Sequence, residues 1–248
     1  MLPLDAAAYD NRWRLRHPGE KALLALGLLA LAVLLPPWPG AVFCGSLALG
    51  LLLGPAGVPA RTVARAVRVP AGFILSGTLP LLVTLGGEPW LRADPAGLPR
   101  AAELAGRALA ALLCLLLFAA TTPLADVLPR LQRLGVPPEV TEIAALVYRM
   151  LFLLLDSVRA VRDAQAGRLG FRTLPATYRS LTGQAGSVFV RAFDRAGRWE
   201  RGLALRGYDG RLPVRAAGRP VSRRFVAASV ATLAAVAVAT PAVRALWP

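Results

Sequence analysis

Two segments of this chain close in the same way, and each close carries an arginine. Gln165-Ala166-Gly167-Arg168-Leu169-Gly170 and Gly202-Leu203-Ala204-Leu205-Arg206-Gly207-Tyr208 both place an alanine, then an arginine two residues on, then a glycine, at the end of a predicted helix. One copy is ordinary, because the macrodipole favours arginine at a helix carboxyl end and glycine there is common capping. Two copies, with the arginines 38 residues apart in a basic region, point to more than capping. Arginine presents five donors in a fixed fork that matches carboxylates and carbonyls, so the chemistry implied is recognition of a protein partner, not bond-making. Ala166, Arg168 and Gly170 with Ala204, Arg206 and Gly207 are the candidate docking residues.

Other chemistry is hard to assemble from this inventory. Lys21 is the one lysine among 29 basic residues and it follows Pro18-Gly19-Glu20, so there is no phosphate-binding loop of the GxxxxGK[ST] type. Any ATP hydrolysis must come from a separate chain. His17 is the one histidine, Cys44 and Cys114 each lie inside an apolar run, and Met1 and Met150 are the two methionines. That set offers neither a Ser/His/Asp arrangement nor the usual ligands of a transition metal, and the cysteines read as small buried apolar residues. No catalytic residue, metal site or bound cofactor is expected on this chain.

Composition says what must carry the two arginines. Of 248 residues 56% are hydrophobic and 17% charged, with 29 Lys and Arg against 14 Asp and Glu for a net charge of +15. A soluble domain has about 25% charged residues. A mean hydropathy of +0.53 leaves too little polar surface to cover a globule, so the chain is expected in a membrane. Nucleic acid is not needed to explain a pI near 11.5, because a soluble nucleic-acid binder does not carry long charge-free apolar runs.

Charge-free runs cover residues 22–60, 69–87, 108–125 and 225–243. The first is broken by Pro36-Pro37-Trp38-Pro39-Gly40, through which no helix continues, so it reads as a helical hairpin. Five spans result, at 21–35, 41–58, 69–86, 106–122 and 224–243, each near the length of about 20 residues that a bilayer requires. With five spans, 25 of the 29 basic residues fall on one side, which makes the amino terminus cytoplasmic and the carboxyl terminus external. A sixth span at 143–155 is rejected, because Arg149 splits it and it would move the largest basic block outside. Span one is retained and not taken as a cleaved signal, since no A-x-A site comes after it and Phe43 precedes Cys44. Within span two Ser46, Gly50 and Gly54 recur at every fourth residue and read as a helix-packing face inside the protein. No span carries an ionisable residue at its centre, so the chain is not expected to line an ion pathway.

The organisation is therefore a basic amino-terminal segment (1–20), a four-helix transmembrane region (21–122), a cytoplasmic arm (123–223) and a final span with an external end (224–248). Residues 123–224, the arm with the first arginine of the final span, hold 18 basic and 8 acidic residues. The arm reads as a short helix ending near Leu134 and a long one over 139–169, whose Ile143, Leu146, Val147, Met150, Leu151, Leu154, Val158 and Val161 make an amphipathic face. A third helix over 177–206 carries Leu181, Val188, Phe189, Phe193 and Trp199 on one side. The fold class expected is all-α: a polytopic membrane protein of five transmembrane helices with a three-helix cytoplasmic arm. Arg149, Arg159, Arg162, Arg195, Arg198 and Arg201 read as interface or solvated charges.

With these features together, the sequence resembles the transmembrane T component of energy-coupling factor transporters, in the cobalt/nickel branch. The opening Leu4-Asp5, Ala8-Tyr9, Asn11-Arg12-Trp13-Arg14, His17-Pro18 and Lys21 is similar to that branch's amino terminus, and the layout is similar along nearly the whole chain. The two signatures resemble the family's Ala-Arg-Gly motifs, with Gly167 and Leu205 standing in alanine places and both arginines and the glycines after them kept. The resemblance implies a non-catalytic scaffold whose two long helices cross near the membrane. Each arginine signature would engage one of two cytoplasmic ATPase subunits, which bind ATP and magnesium. The scaffold would pass their motion to a separate substrate-binding membrane subunit.

Cobalt or nickel is the substrate class implied, with a vitamin as the alternative. A membrane enzyme acting on lipid phosphate is a further alternative, for which Asp156, Asp163, Asp194, Glu200 and Asp209 are the candidate bases. A self-sufficient channel is disfavoured by the charge-free spans.

Overall fold

A computed structural model describes residues 3–85, 91–93, 97–208 and 219–246. Asp209 and the last two residues of the expected external end lie outside them. The elements are α1 (Pro3–Tyr9), α2 (Pro18–Leu34), α3 (Pro37–Leu53), α4 (Ala60–Thr78), a 3₁₀ turn (Leu79–Leu82), β1 (Val83–Leu85), β2 (Leu91–Ala93), α5 (Gly97–Thr121), α6 (Leu124–Arg133), α7 (Pro138–Gly167), α8 (Leu174–Ala204) and α9 (Arg223–Leu246). The chain divides into two compact units, the first made of residues 1–126 and 217–248 and the second of residues 127–216.

The first unit is built around α5. Its Ala110, Cys114, Leu117 and Ala120 face Leu24, Leu28 and Ala32 of α2 and Ala41, Cys44, Ala48 and Leu52 of α3 in one buried cluster. Small side chains at this seam let the helices approach closely, as membrane helices do where the hydrophobic effect gives no preference for protein over lipid. Gly45 sets the limit, since a Cβ there would lie 3.4 Å from the Ala110 Cα. Helix α2 starts where His17 Nδ1 accepts from the Gly19 N–H at 3.1 Å and Pro18 occupies the first turn. The lone histidine is thus a helix cap.

Helices α5 and α9 are long and apolar enough to cross a membrane, and α3 is a shorter apolar helix. Outward-facing Val69 and Phe73 on α4 and Val238 on α9 are more than two-thirds exposed, which suits contact with hydrocarbon.

Three expectations change. The span expected over 69–86 is not one helix: α4 begins at Ala60, stops at Thr78, and passes into the 3₁₀ turn and β1. Helix α4 runs through Pro70, but at Pro80, which lacks an N–H and whose ring crowds the preceding turn, the α-helix has already given way to the 3₁₀ turn. β1 and β2 then pair antiparallel, with Thr84 opposite Arg92, a small addition to an otherwise helical chain.

Second, Ser46, Gly50 and Gly54 lie off the buried seam between α3 and α5. They lie exposed on α3, and a Cβ on Gly50 would meet nothing within 4 Å. The buried face carries Cys44, Gly45 and Ala48 instead, because stepping one or two residues along a helix turns its face by about 100–200°. Ser46 and Gly50 line a shallow groove opposite Thr232, Ala235 and Ala239 of α9. Third, α1 is an element the sequence patterning did not call for.

These placements set a contrast. Gly45→Val should lower stability by about 1–3 kcal/mol through overpacking against α5. Gly50→Ala should leave it unchanged, as read by thermal unfolding of the detergent-solubilised protein.

Candidate functional site

The second unit is dominated by the α7–α8 hairpin. Pro137 and Pro138 start α7, and the Thr173 Oγ1 starts α8 by accepting from the Ala176 N–H at 3.3 Å. Between them the chain turns sharply. Ser180 Oγ donates to the Gly170 carbonyl at 2.9 Å, and Gln184 Nε2 donates to the Val158 carbonyl at 2.9 Å further along. Arg149 lies over the Trp199 ring, 5.4 Å from its centroid, so this arginine is held on an aromatic face. These pairs, with rising numbers on α8 against falling numbers on α7, make the two helices antiparallel.

The two arginine-bearing ends share one backbone geometry. At the first, the Gly170 N–H donates to the Gln165 carbonyl at 2.8 Å and the Leu169 N–H to the Ala166 carbonyl at 3.0 Å. At the second, the Tyr208 N–H donates to the Leu203 carbonyl at 3.0 Å and the Gly207 N–H to the Ala204 carbonyl at 3.1 Å. This nested pair of bonds is the Schellman motif, which satisfies carbonyls that a helix end leaves open. The arginine precedes the left-handed residue in both, and Ala166 and Ala204 accept the inner bond in both. Arg168 and Arg206 are exposed and make no ion pair with the described residues.

The glycines do not correspond as their places in the sequence suggest. The left-handed residue is Gly207 (φ +74°) at the second end but Leu169 (φ +57°) at the first. Gly170 serves a different need, since a Cβ on it would come within 3 Å of Ser180 Oγ and the Gln165 carbonyl oxygen. Its missing side chain is what lets α8 fold back against the corner. Leu169 therefore holds a conformation that L-residues adopt only at a cost, and it does so while largely exposed.

The hairpin separates the two arginines. Arg168 sits at the closed corner and Arg206 at the far end of α8, about 45 Å away for a 31-residue helix at ~1.5 Å per residue. Near the Arg206 end the helices enclose an apolar groove of about 700 Å³, lined by Leu146, Met150, Leu154, Trp199, Leu203 and Tyr208. A neighbouring cleft of about 510 Å³ brings Arg149, Arg198 and Arg206 together beside Trp199 and Leu205. An arginine-rich mouth beside exposed apolar side chains can accept carboxylates and carbonyls from a protein surface.

The acidic residues considered as bases do not gather. Asp156 pairs locally with Arg159 at 3.3 Å, and Glu200 lines the apolar groove. Among the described residues there is no group of three or more His, Cys, Asp or Glu placed to hold a metal ion.

A model of the CbiQ family, described as "Cobalt transport protein", matches residues 10–215. The chain belongs to the CbiQ family. The match includes both arginine signatures and the whole α7–α8 hairpin. The cobalt transport protein CbiQ of Rhodobacter capsulatus is 41% identical over 232 residues, covering 94% of each chain. That of Salmonella typhimurium is 32% identical over 222 residues, covering 85% of this chain and 98% of its own. A fused cobalt transport protein, CbiMQ, of Methanocorpusculum labreanum is 26% identical over 225 residues, which are 84% of this chain and 36% of the fusion. Membership together with the two long apolar helices makes this chain a membrane component of a transport system.

Two features of this CbiQ-family chain escaped the sequence. The exchange of roles between Leu169 and Gly170 depends on φ and on the approach of Ser180, neither of which composition reports. The meeting of Arg14 and Arg219 on Asp126 joins residues more than 90 positions apart, where the sequence offered only charges of one orientation.

The corner gives a paired test. Leu169→Gly should stabilise the α7–α8 corner by ~1 kcal/mol by relieving the left-handed leucine, whereas Gly170→Ala should weaken it by about as much or more. Amide exchange of residues 168–172 in the intact protein measures both.

Proposed function

We propose that this chain is the transmembrane coupling subunit of an energy-coupling factor ABC importer that takes up cobalt or nickel ions. It is read as non-catalytic. Two partner subunits bind and hydrolyse ATP with magnesium, and a separate integral membrane subunit binds the transported ion. The chain itself spans the cell membrane five times, with the amino terminus and the arm of residues 123–223 cytoplasmic and the carboxyl terminus external.

The observation that carries this reading is the repetition of one arginine-bearing helix end at opposite ends of one hairpin. A single docking point suits one partner. Two equivalent points a helix length apart suit two like partners, each receiving an arginine, and a basic, partly apolar mouth suits an acidic groove. Motion that brings two such partners together would load the hairpin at both ends, and a continuous helix between them is stiff enough to pass the load on.

Support for cobalt comes from the names of two relatives that align over 85% or more of this chain, both cobalt transport proteins. Support for a second membrane component comes from the fused relative, whose length beyond the aligned part leaves room for one in the same chain. The positive-inside bias supports the orientation, since 25 of 29 basic residues share one side under five spans.

The test is charge reversal at the two ends in the co-expressed complex. Arg168→Glu or Arg206→Glu alone should weaken ATPase retention by about tenfold or more, since a charge-assisted bond is worth about 1.5–3 kcal/mol. The double variant should lose ATPase co-purification and cobalt uptake together. ATPases still co-purifying, with uptake intact, would remove the assignment.

A further inference from the structure

In the first unit the basic amino-terminal segment does more than orient the chain. Asp126, the residue at which the chain leaves for the second unit, is almost buried, and its Oδ2 accepts from Arg14 Nη1 at 2.6 Å. The same oxygen pairs with Arg219 Nη1 at 3.0 Å, and Arg219 lies just after the chain has come back. Arg219 Nη1 also donates to the Arg14 carbonyl at 2.7 Å and approaches the Arg16 carbonyl at 3.4 Å. Exit and return of the arm therefore meet on one carboxylate and on one short stretch of backbone.

That stretch is fastened on every side. Lys21, fully buried, donates to the Trp13 carbonyl at 3.3 Å and to the Thr121 carbonyl at the end of α5 at 2.7 Å. Asn11 reaches the Ala120 carbonyl. On the return side the buried Glu20 carboxylate accepts from the Ser222 N–H. Phe225, in the first turn of α9, packs edge-on against Trp13 at 5.3 Å and beneath the Arg16 guanidinium at 4.5 Å. Buried charges are expensive to desolvate and are held by close partners of opposite charge or by backbone carbonyls, so such a cluster favours the arrangement that keeps those partners over neighbouring ones.

We infer that the Arg14–Asp126–Arg219 cluster is a positioning clamp that ties both roots of the arm to α5 and α9, so that movement of the arm is delivered to the membrane helices and not absorbed as slack. The inference rests on the coupling role proposed above and adds to it the residues through which force enters the bundle. Asp126 and Arg219 touch neither nucleotide nor transported ion; they act by holding the two chain segments together. Arg219 makes all three contacts through Nη1, at the tip of a planar guanidinium that reaches one atom further from the backbone than a lysine ammonium on its flexible stem, so lysine does not reproduce the geometry.

The experiment uses the full complex with its ATPases and substrate subunit in liposomes. It reads ATPase co-purification, ATP hydrolysis and radiolabelled cobalt accumulated per ATP hydrolysed. Asp126→Asn and Arg219→Lys should keep assembly and hydrolysis near the unaltered level but lower cobalt per ATP by at least about fivefold. Asp126→Glu, which keeps the charge, should recover much of the ratio. An unchanged ratio in both Asp126→Asn and Arg219→Lys overturns the clamp. So does loss of folding, assembly and hydrolysis together in both, which makes the cluster a support of the fold and nothing more. If only one of the two variants accumulates, its ratio decides. Failure of the coupling role itself would look different: the unaltered complex would keep its ATPases and its uptake after charge reversal at Arg168 and Arg206.

Discussion

Hydrocarbon solvates neither a charge nor an unpaired peptide group, and the rest of this structure depends on that constraint. Backbone groups are paired inside helices, so the apolar stretches are helical. Charges gather where helices end. Within the first unit the seam between α2, α3 and α5 is made of alanine, cysteine, glycine and leucine, because close packing is the interaction left once the surroundings are as apolar as the side chains. Where the helices finish, at Thr121, Asp126 and Ser222, the polar groups are paired with Lys21, Arg14, Arg219 and Glu20 in place of water.

The same constraint separates labour between the two units. The first spends its polar groups on holding itself together. The second carries its arginines outward: Arg168 and Arg206 end helices whose carbonyls are already satisfied by Schellman bonds, so their guanidinium groups are not consumed by capping. A helix end normally recruits basic side chains to its own dipole, and here the backbone has done that work. The arginines are left with donors to offer elsewhere, which is what the proposed docking role requires.

The first end keeps a leucine in a left-handed conformation that its neighbour glycine could have taken. The reason is steric. Gly170 is committed to the close approach of Ser180 and the Gln165 carbonyl, so the corner needs its glycine one residue later than capping alone would place it. At the second end a Cβ on Gly207 would meet nothing within 4 Å among the described residues, and there Gly207 takes the left-handed place directly. Two motifs alike in sequence thus solve two different packing problems.

Much of this is legible in the chain alone, for reasons that are local. Apolar runs, proline breaks and charge asymmetry are one-dimensional signals, so the hairpin at Pro36-Pro37, the long helices α7 and α8 and the two arginine ends stand out in the sequence itself. Signals also mislead where a local rule has two solutions: the every-fourth-residue pattern of Ser46, Gly50 and Gly54 is compatible with either side of α3, and which side meets α5 is settled by Gly45 against Ala110. Pro80 is visible, yet whether the helix bends or ends there depends on the pairing of β1 with β2 beyond it. The meeting of Asp126 with Arg14 and Arg219 lies wholly beyond reach, since charge complementarity names no partner among 29 basic residues until the chain is folded. The sequence determined what kind of protein this is and where its two arginine-bearing helix ends lie, because those depend on hydropathy and capping residues. Tertiary structure alone decided which small residues pack, which residue bears the left-handed turn and which charges meet, because these depend on the distance between segments far apart in the chain.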